Sequence, residues 1–226
     1  QDYDRIVFQN SGYLLNVLKD KKICNKYENK LYYHIHNDIP DNIYIEGMKK
    51  CKLLLISEYL KKKIIKICGK KMNEQIFILK NGFDCSKFNK ILTETEKVNI
   101  KKELNIDENE KIILFVGRIV QEKGIKELVE AVENRQLINT SLLVVGSHNF
   151  GSNQTSIFEI EMKKKISSSG KRVKIAGYVQ YDDIWKYYKI SDVVILPSTW
   201  EEPAGLTMLE AVASGIPLIT TKSGGI

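Results

Sequence analysis

At 226 residues, with 43% hydrophobic and 28% charged side chains, the chain can bury one sizeable core or two smaller ones and reads as a folded globular protein. Thirty-five Lys and Arg against 28 Asp and Glu give a net charge of +7, which favours phosphate-bearing or anionic-membrane partners. No apolar run approaches the ~18 residues of a membrane helix, and Cys24, Cys51, Cys68 and Cys85 show no C-x-x-C spacing, which points to reduced, mostly buried thiols in a cytosolic protein rather than a metal or redox site.

The start QDYDRIVFQ is neither a signal peptide nor an initiator methionine, and TTKSGGI stops after a strand where a covering helix is due, so the chain is expected to be a fragment truncated at both ends. Short runs rich in Ile, Val and Leu alternate with amphipathic stretches, the pattern of β-α units whose parallel strands are buried on both faces. Strands are expected at 5–9, 30–36, 52–56, 75–79, 111–116, 141–145, 172–176, 192–196 and 216–220. Over 58–68, Leu60, Ile64, Ile67 and Cys68 share a helical face, with Ser57 as N-cap and Gly69 as stop. Between Phe88 and Lys111 the composition turns polar and charged, which suits a hinge and a surface helix, so the domain break is set there: 1–89 and 90–226. Over 124–134, Ile125, Leu128, Val129 and Val132 fall at i, i+3, i+4 and i+7.

Two segments carry chemistry. The strand Ile112–Val116 ends in Gly117 and Arg118, and Lys123-Gly124 opens the next helix. Ligands of open α/β sheets bind at the carboxyl ends of strands, so an Arg fork and a Lys point charge there suit a diphosphate. In STWEEPAGLTMLEAVASGIPLITTKSGG, Pro203 suits a first helical turn, which leaves the N–H groups of Gly205, Leu206 and Thr207 free for an anion. Glu202 then overlooks the pocket mouth, Glu210 reaches in from two turns along, and Leu206, Leu209 and Ala213 face the core.

The ordered set F-V-G-R-x(4)-K-G, L-L-V-V-G, I-A-G-Y-V, V-V-I-L-P-S and E-x(7)-E, nearly continuous over 110–226, resembles the donor domain of retaining glycosyltransferases of the GT-B fold, family four. The likeness implies an α/β protein of two facing Rossmann-like domains, with 1–89 the later part of the acceptor-side domain and 90–226 the donor-binding one, incomplete. Arg118 and Lys123 would bind the diphosphate and stabilise the charge of the leaving nucleotide. Glu210 would hold the ribose hydroxyls and Glu202 the sugar hydroxyls. Ala204, Gly205, Leu206 and Thr207 would offer backbone amides, while Gly177, Tyr178 and Val179 would meet the base. Gly117 belongs to the same donor site, and Gly146 would allow close approach. NGFDCSKF and LLLISEYLKK in the first domain resemble family elements too. His36, followed by Asn37-Asp38, would point at the transferred sugar. His34 shares its strand face and stays open as the alternative.

The implied reaction moves a sugar, with retention, from a nucleoside diphosphate sugar, UDP favoured, to a hydroxyl of a glycan or lipid-linked glycan in cell-surface polysaccharide synthesis. It takes place in the cytoplasm or at the inner face of the membrane, with no cofactor and no metal. Asp2-Tyr3-Asp4 is literally a D-x-D but lies at the chain end, away from the phosphate segment. KKKIIKICGKK over 61–71 offers a basic face for a peripheral contact with anionic lipid. The family's opening strand and glycine-rich loop have no counterpart before Asp4. Alternatives are a nucleotide-sugar epimerase on the same fold and a non-catalytic nucleotide-binding or scaffold protein. A glycoside hydrolase pair, Glu202 with Glu210, is disfavoured because eight helical residues span about 12 Å, beyond the roughly 9.5 Å of an inverting pair. No nucleic-acid motif is present, and aromatics do not interleave with the basic runs, so no nucleic-acid partner is expected.

Overall fold

Each of the nine apolar runs forms a strand, and all strand pairs are parallel. The computed structural model describes residues 2–38, 44–135, 137–148, 156–168 and 172–226. Contacts divide the chain into two units: the first ends at Gly82 and the second begins at Phe83, with Glu202–Ala204 and Gly225 counted in the first.

In the first unit β1 (Ile6–Gln9), β2 (Leu31–Ile35), β3 (Lys52–Leu55) and β4 (Ile76–Ile78) make one sheet in sequence order. Leu31, Tyr33, Ile35, Leu53, Leu55 and Ile76 point to one face and form a core with Leu15 and Leu18 of a 3-10 segment, Met48 of α2 (Ile45–Met48), and Leu60 and Ile64 of α3 (Glu58–Cys68). Ile23 and Cys24 of α1 (Lys21–Lys26) pack on the same cluster. The period of two puts Val7, Tyr32, Leu54 and Phe77 on the other face, where Val7 and Phe77 are about half exposed (52% and 49%). The expectation of burial on both faces is therefore corrected for this sheet: its described helices all add to one cluster. The caps read for α3 hold, since the Ser57 side chain accepts from the Leu60 N–H at 3.3 Å and Gly69, at φ +96, stops the helix; on its inward face Leu60, Ile64 and Cys68 are as read, but Ile65 rather than Ile67 packs on the cluster.

The second unit opens with α4 (Glu94–Glu103), a surface helix with no buried residue, started by a capping box between Thr93 and Glu96. Then come β5 (Lys111–Val116), α5 (Ile125–Asn134), β6 (Thr140–Val145), α6 (Ile157–Ser168), β7 (Val173–Gly177), α7 (Ile184–Lys189), β8 (Val193–Leu196), α8 (Leu206–Ala213) and β9 (Leu218–Thr220), in the sheet order β7-β6-β5-β8-β9. Here both faces are buried. Ile112, Leu114 and Val116 point to a cluster with Leu143, Val194, Trp185 and Tyr188, while Ile113 and Phe115 point to one with α5 and α6. The α5 face is the one read from its spacing: Ile125, Leu128, Val129 and Val132 are all buried.

Sequence reading set the domain break after residue 89, whereas the contact division falls at Gly82/Phe83. Phe88 explains the difference: it is fully buried in the second unit's core, edge-on to Phe83 at 5.6 Å and to Tyr188 at 5.7 Å. The aromatic content of this nominal hinge makes it part of the unit it leads into. Phe88→Ala is expected to destabilise the second unit by about 3–5 kcal/mol, read as a lower denaturant midpoint with near-UV aromatic signals lost in the same transition.

Candidate functional site

From β5 the second sheet is wound in opposite directions, through β6 to β7 on one side and through β8 to β9 on the other. The carboxyl ends of β5 and β8 thus flank the topological switch point, where open α/β sheets bind ligands. The two loops leaving these strands are stitched together. The Thr199 N–H donates to the Glu122 carbonyl at 2.9 Å, and Gly124, at φ +68, lies so close to Pro197 that a Cβ would overlap its carbonyl oxygen.

Three neighbouring strand ends are glycine. Gly117, Gly146 and Gly177 have φ of +156, +140 and +76. They are laced laterally: the Gly117 N–H donates to Val145 O at 3.0 Å and the Gly146 N–H to Gly177 O at 2.8 Å. A Cβ on Gly146 would overlap the carbonyl oxygen of Gly117, so the close approach assigned to Gly146 is one of backbone to backbone. The result is a strip of sheet edge without side chains. Arg118 stands beside it, half-buried, and among the described residues its guanidinium makes no hydrogen bond or ion pair. Lys123, in a 3-10 turn over Gln121–Lys123, is half-buried and already engaged.

Beyond β8, α8 begins at Leu206 with Gly205 as N-cap and no side-chain cap. The N–H groups of Leu206, Thr207 and Met208 therefore have no intrahelical acceptor, and the positive end of the helix is left bare. Pro203 was expected in the first turn but lies before the helix. The Gly225 N–H donates to the Glu202 carbonyl at 2.6 Å, and the Ser223 hydroxyl donates to the Trp200 carbonyl, which holds 200–204 irregular. Ala204 is half-buried and packs against the first unit's core cluster, and Glu202 is buried with its own partner.

The buried side of α8 is also corrected. Leu206 is 41% exposed and Leu209 only half-buried, whereas Glu210 and Ala211 are buried. Ala213 does pack against the core. The inward face carries Glu210, a carboxylate at 5% exposure. Tyr188 of α7, fully buried, donates its hydroxyl to Glu210 Oε2 at 2.8 Å. Burial pushes the Glu210 carboxyl up from the ordinary range, against the hydrogen bond from Tyr188, which pulls it down. Burial and the neighbouring Glu210 charge drive the Tyr188 phenol well above its usual value, so it remains a donor.

At the end of β7, Tyr178 is 43% exposed and donates to Gln180 Oε1 at 3.5 Å, while Val179 packs inward. Both line a cleft of about 510 Å3 whose opposite wall is Leu92, Glu96, Asn99 and Ile100.

In the first unit, His36 follows β2. Its backbone N–H donates to Asn10 Oδ1 at 3.0 Å, its Nε2 meets the Gln9 amide nitrogen at 2.7 Å and His34 Nδ1 at 3.2 Å, and the two rings lie 4.0 Å apart. Burial, then the His36 ring, lower the His34 pKa, and its Nε2 is buried without a partner. Of the D-x-D, Asp2 pairs with Lys26 at 3.3 Å. Among the described residues no cluster of three or more His, Cys, Asp or Glu side chains could hold a metal. Sequence reasoning missed Tyr188, Gln9 and Asn10, whose partners are 22, 27 and 26 positions away.

Comparison with known proteins gives a family and a fold. Residues 96–226, more than half of the chain, match the family described as glycosyl transferases group 1. An uncharacterised glycosyltransferase of Methanocaldococcus jannaschii is 29% identical over 185 residues, covering 81% of this chain and 45% of that protein. The lipopolysaccharide 1,2-N-acetylglucosaminetransferase of Salmonella typhimurium is 27% identical over 235 residues, 100% of this chain and 56% of its own. The chain thus spans about half the length of the curated relatives it matches. Among solved structures, Anabaena HepE in complex with UDP superposes with a TM-score of 0.75 at 21% identity, over 97% of this chain and 60% of that one. The fold is α/β of the GT-B type with two parallel sheets. Gly146→Ala is expected to force the β5 and β6 ends apart and destabilise by about 1–3 kcal/mol, whereas Gly69→Ala, in open space, is expected to cost no more than its positive φ demands, about 1 kcal/mol; thermal unfolding of the two variants checks the difference.

Proposed function

The chain belongs to the glycosyl transferases group 1 family, and from that premise we propose that it transfers a sugar, with retention of configuration and without a metal ion, from a nucleoside diphosphate sugar to a hydroxyl of a glycan or lipid-linked glycan in polysaccharide synthesis. The observation that carries the reading is Arg118: a half-buried guanidinium at the switch point, without a protein counter-charge among the described residues, beside a side-chain-free strip of backbone. An uncompensated half-buried cation at such an edge is arranged for an anion, and a diphosphate fits the fork geometry.

In this reading Arg118 and Lys123 hold the diphosphate, and the bare N-terminus of α8, through the amides at Gly205, Leu206 and Thr207, adds partial positive charge. Gly117, Gly146 and Gly177 let the ligand lie against backbone, Tyr178 and Val179 meet the base, and Glu210 accepts from the ribose hydroxyls. Glu202 and the amide of Ala204 belong to the sugar. His36 is assigned to the transferred sugar. As the bond from the anomeric carbon to the diphosphate breaks, negative charge grows on the leaving oxygens, and cations fixed beside them stabilise that charge without reorganising. The acceptor oxygen bonds to the same carbon, and its proton passes to a departing phosphate oxygen. None of these side chains is placed as a covalent nucleophile. UDP is favoured because the solved neighbour HepE binds it. Among the described residues no helix is long and apolar enough to cross a membrane, and the exposed Lys62, Lys66 and Lys70 on and after α3 support a peripheral contact with anionic lipid at the cytoplasmic face.

A thermal-shift series with UDP, GDP and ADP, each with and without magnesium, tests the donor site, since a ligand at about 100 times its Kd adds roughly 2.7 kcal/mol of stability. The expected result is a shift with UDP, unchanged by magnesium and abolished in Arg118→Ala. No shift with any diphosphate, or a shift that Arg118→Ala leaves intact, removes the reading.

A further inference from the structure

Glu210 is a carboxylate held in the interior by a single neutral donor. Tyr188 occupies Oε2 at 2.8 Å, with a weaker approach of the same hydroxyl to the Thr207 carbonyl at 3.4 Å. Oε1 has no protein partner among the described residues, and it is absent from the buried atoms that lack one, so it keeps contact with solvent. One oxygen is therefore fixed from the core and the other keeps solvent contact, on a helix one turn from its bare N-terminus. Tyr188 is itself immobilised, with no exposed surface and Phe88 edge-on at 5.7 Å. Nothing about packing alone calls for a hydroxyl at that place, since a phenyl ring fills the same space.

We infer that Tyr188 is a positioning residue: its hydroxyl pins Oε2 of Glu210 so that Oε1 is presented, ionised and in one orientation, to the vicinal hydroxyls of the nucleotide ribose. This rests on the reading of Glu210 as the ribose acceptor. The titratable groups that face Glu210 are Tyr188 from α7 and Tyr181 from the loop before it, with Lys87, Asp84 and Asp182 beyond Tyr181. Glu210 sits above the usual carboxylate range through burial, and the Tyr188 hydrogen bond opposes that rise. A diol donates to an ionised carboxylate more strongly than to a protonated one, so affinity is full above the Glu210 pKa and falls as the pH drops through it. Removing the Tyr188 hydroxyl takes away the one contribution that lowers this pKa, and the acid limb moves to higher pH.

The test is calorimetric titration of UDP, from acid pH to neutrality, into the whole chain as wild type, Tyr188→Phe, Glu210→Gln and the double variant. The expected result is an acid limb about one pH unit higher in Tyr188→Phe, hence roughly tenfold weaker binding on the acid side, and no acid limb in Glu210→Gln. In the Glu210→Gln background, Tyr188→Phe should change affinity by less than about twofold, since a residue that acts through another has nothing left to act on. That comparison is made between folded proteins and is unaffected by any loss of stability common to both Tyr188→Phe variants. If Glu210→Gln binds UDP with wild-type affinity, the ribose assignment itself falls. If Glu210→Gln weakens binding but Tyr188→Phe leaves the acid limb in place, or exerts its full effect in both backgrounds, the ribose assignment stands and the positioning role is overturned.

Discussion

A carbonyl oxygen facing a glycine sets the geometry of the second unit's functional edge. Where β5 and β6 end, the Gly117 carbonyl occupies the space that any Cβ at position 146 would need, and lateral hydrogen bonds from Gly117 to Val145 and from Gly146 to Gly177 carry the same close spacing across to β7. The central strands are buried along their length, Ile112 to Val116 in β5 and Leu142 to Val145 in β6, while β7 at the sheet margin buries Val173 alone. Hydrophobic burial on both faces fixes the sheet, and the sheet places the strip. Stitching of Glu122 to Thr199 and of Gly124 against Pro197 then brings the β5 and β8 loops to one place at the switch point. Arg118 takes its position from these backbone contacts, since no side chain among the described residues holds its guanidinium.

Two buried carboxylates in this unit show how differently the same cost can be met. Glu159, at 2% exposure, has Lys163 at 2.9 Å and the His148 N–H at 3.1 Å, a cation and a donor that balance it within the fold. Glu210, at 5%, has a phenol and no cation, and its pKa rises accordingly. A buried charge without full compensation is unfavourable by itself. Glu210 thus keeps its burial cost with only a phenol donor to offset it, where Glu159 has a cation as well.

Strand positions were legible because these parallel strands are short apolar runs, and no tertiary knowledge is needed to find them. The faces of α5 and, but for Ile67, of α3 were legible from periodicity. The errors have physical sources as well. Pro203 is compatible with a first helical turn, but hydrogen bonds to Gly225 and Ser223, some twenty residues on, hold its segment out of the helix. Phe88 lay in a polar stretch and looked like hinge, although one aromatic ring in a core outweighs the charges around it. The half-bare face of the first sheet was hidden because Val7 and Phe77 are as apolar as the buried residues beside them. Arg118, Lys123 and the glycines could be picked out as site candidates from residue type at strand ends. Tyr188 could not, because a tyrosine in an amphipathic helix is ordinary until its partner is known.

The helix starts divide along the same line. Asp20, Ser57 and Thr93 cap α1, α3 and α4 with side-chain oxygens, so those helices satisfy their own first N–H groups. The two helices that begin in the loops after β5 and β8 start instead at Gly124 and Gly205, neither of which can supply a side-chain acceptor. Relative to Ser or Asp, glycine at an N-cap gives up only a few tenths of a kcal/mol, because water or a ligand can reach the N–H groups it leaves open. A small loss of helix stability therefore keeps two positive helix ends uncapped at the switch point, where an internal carboxylate or hydroxyl would otherwise compete for the same donors. The arrangement follows from two glycines and a sheet order, and it leaves the positive ends of both helices at that edge without a side-chain acceptor.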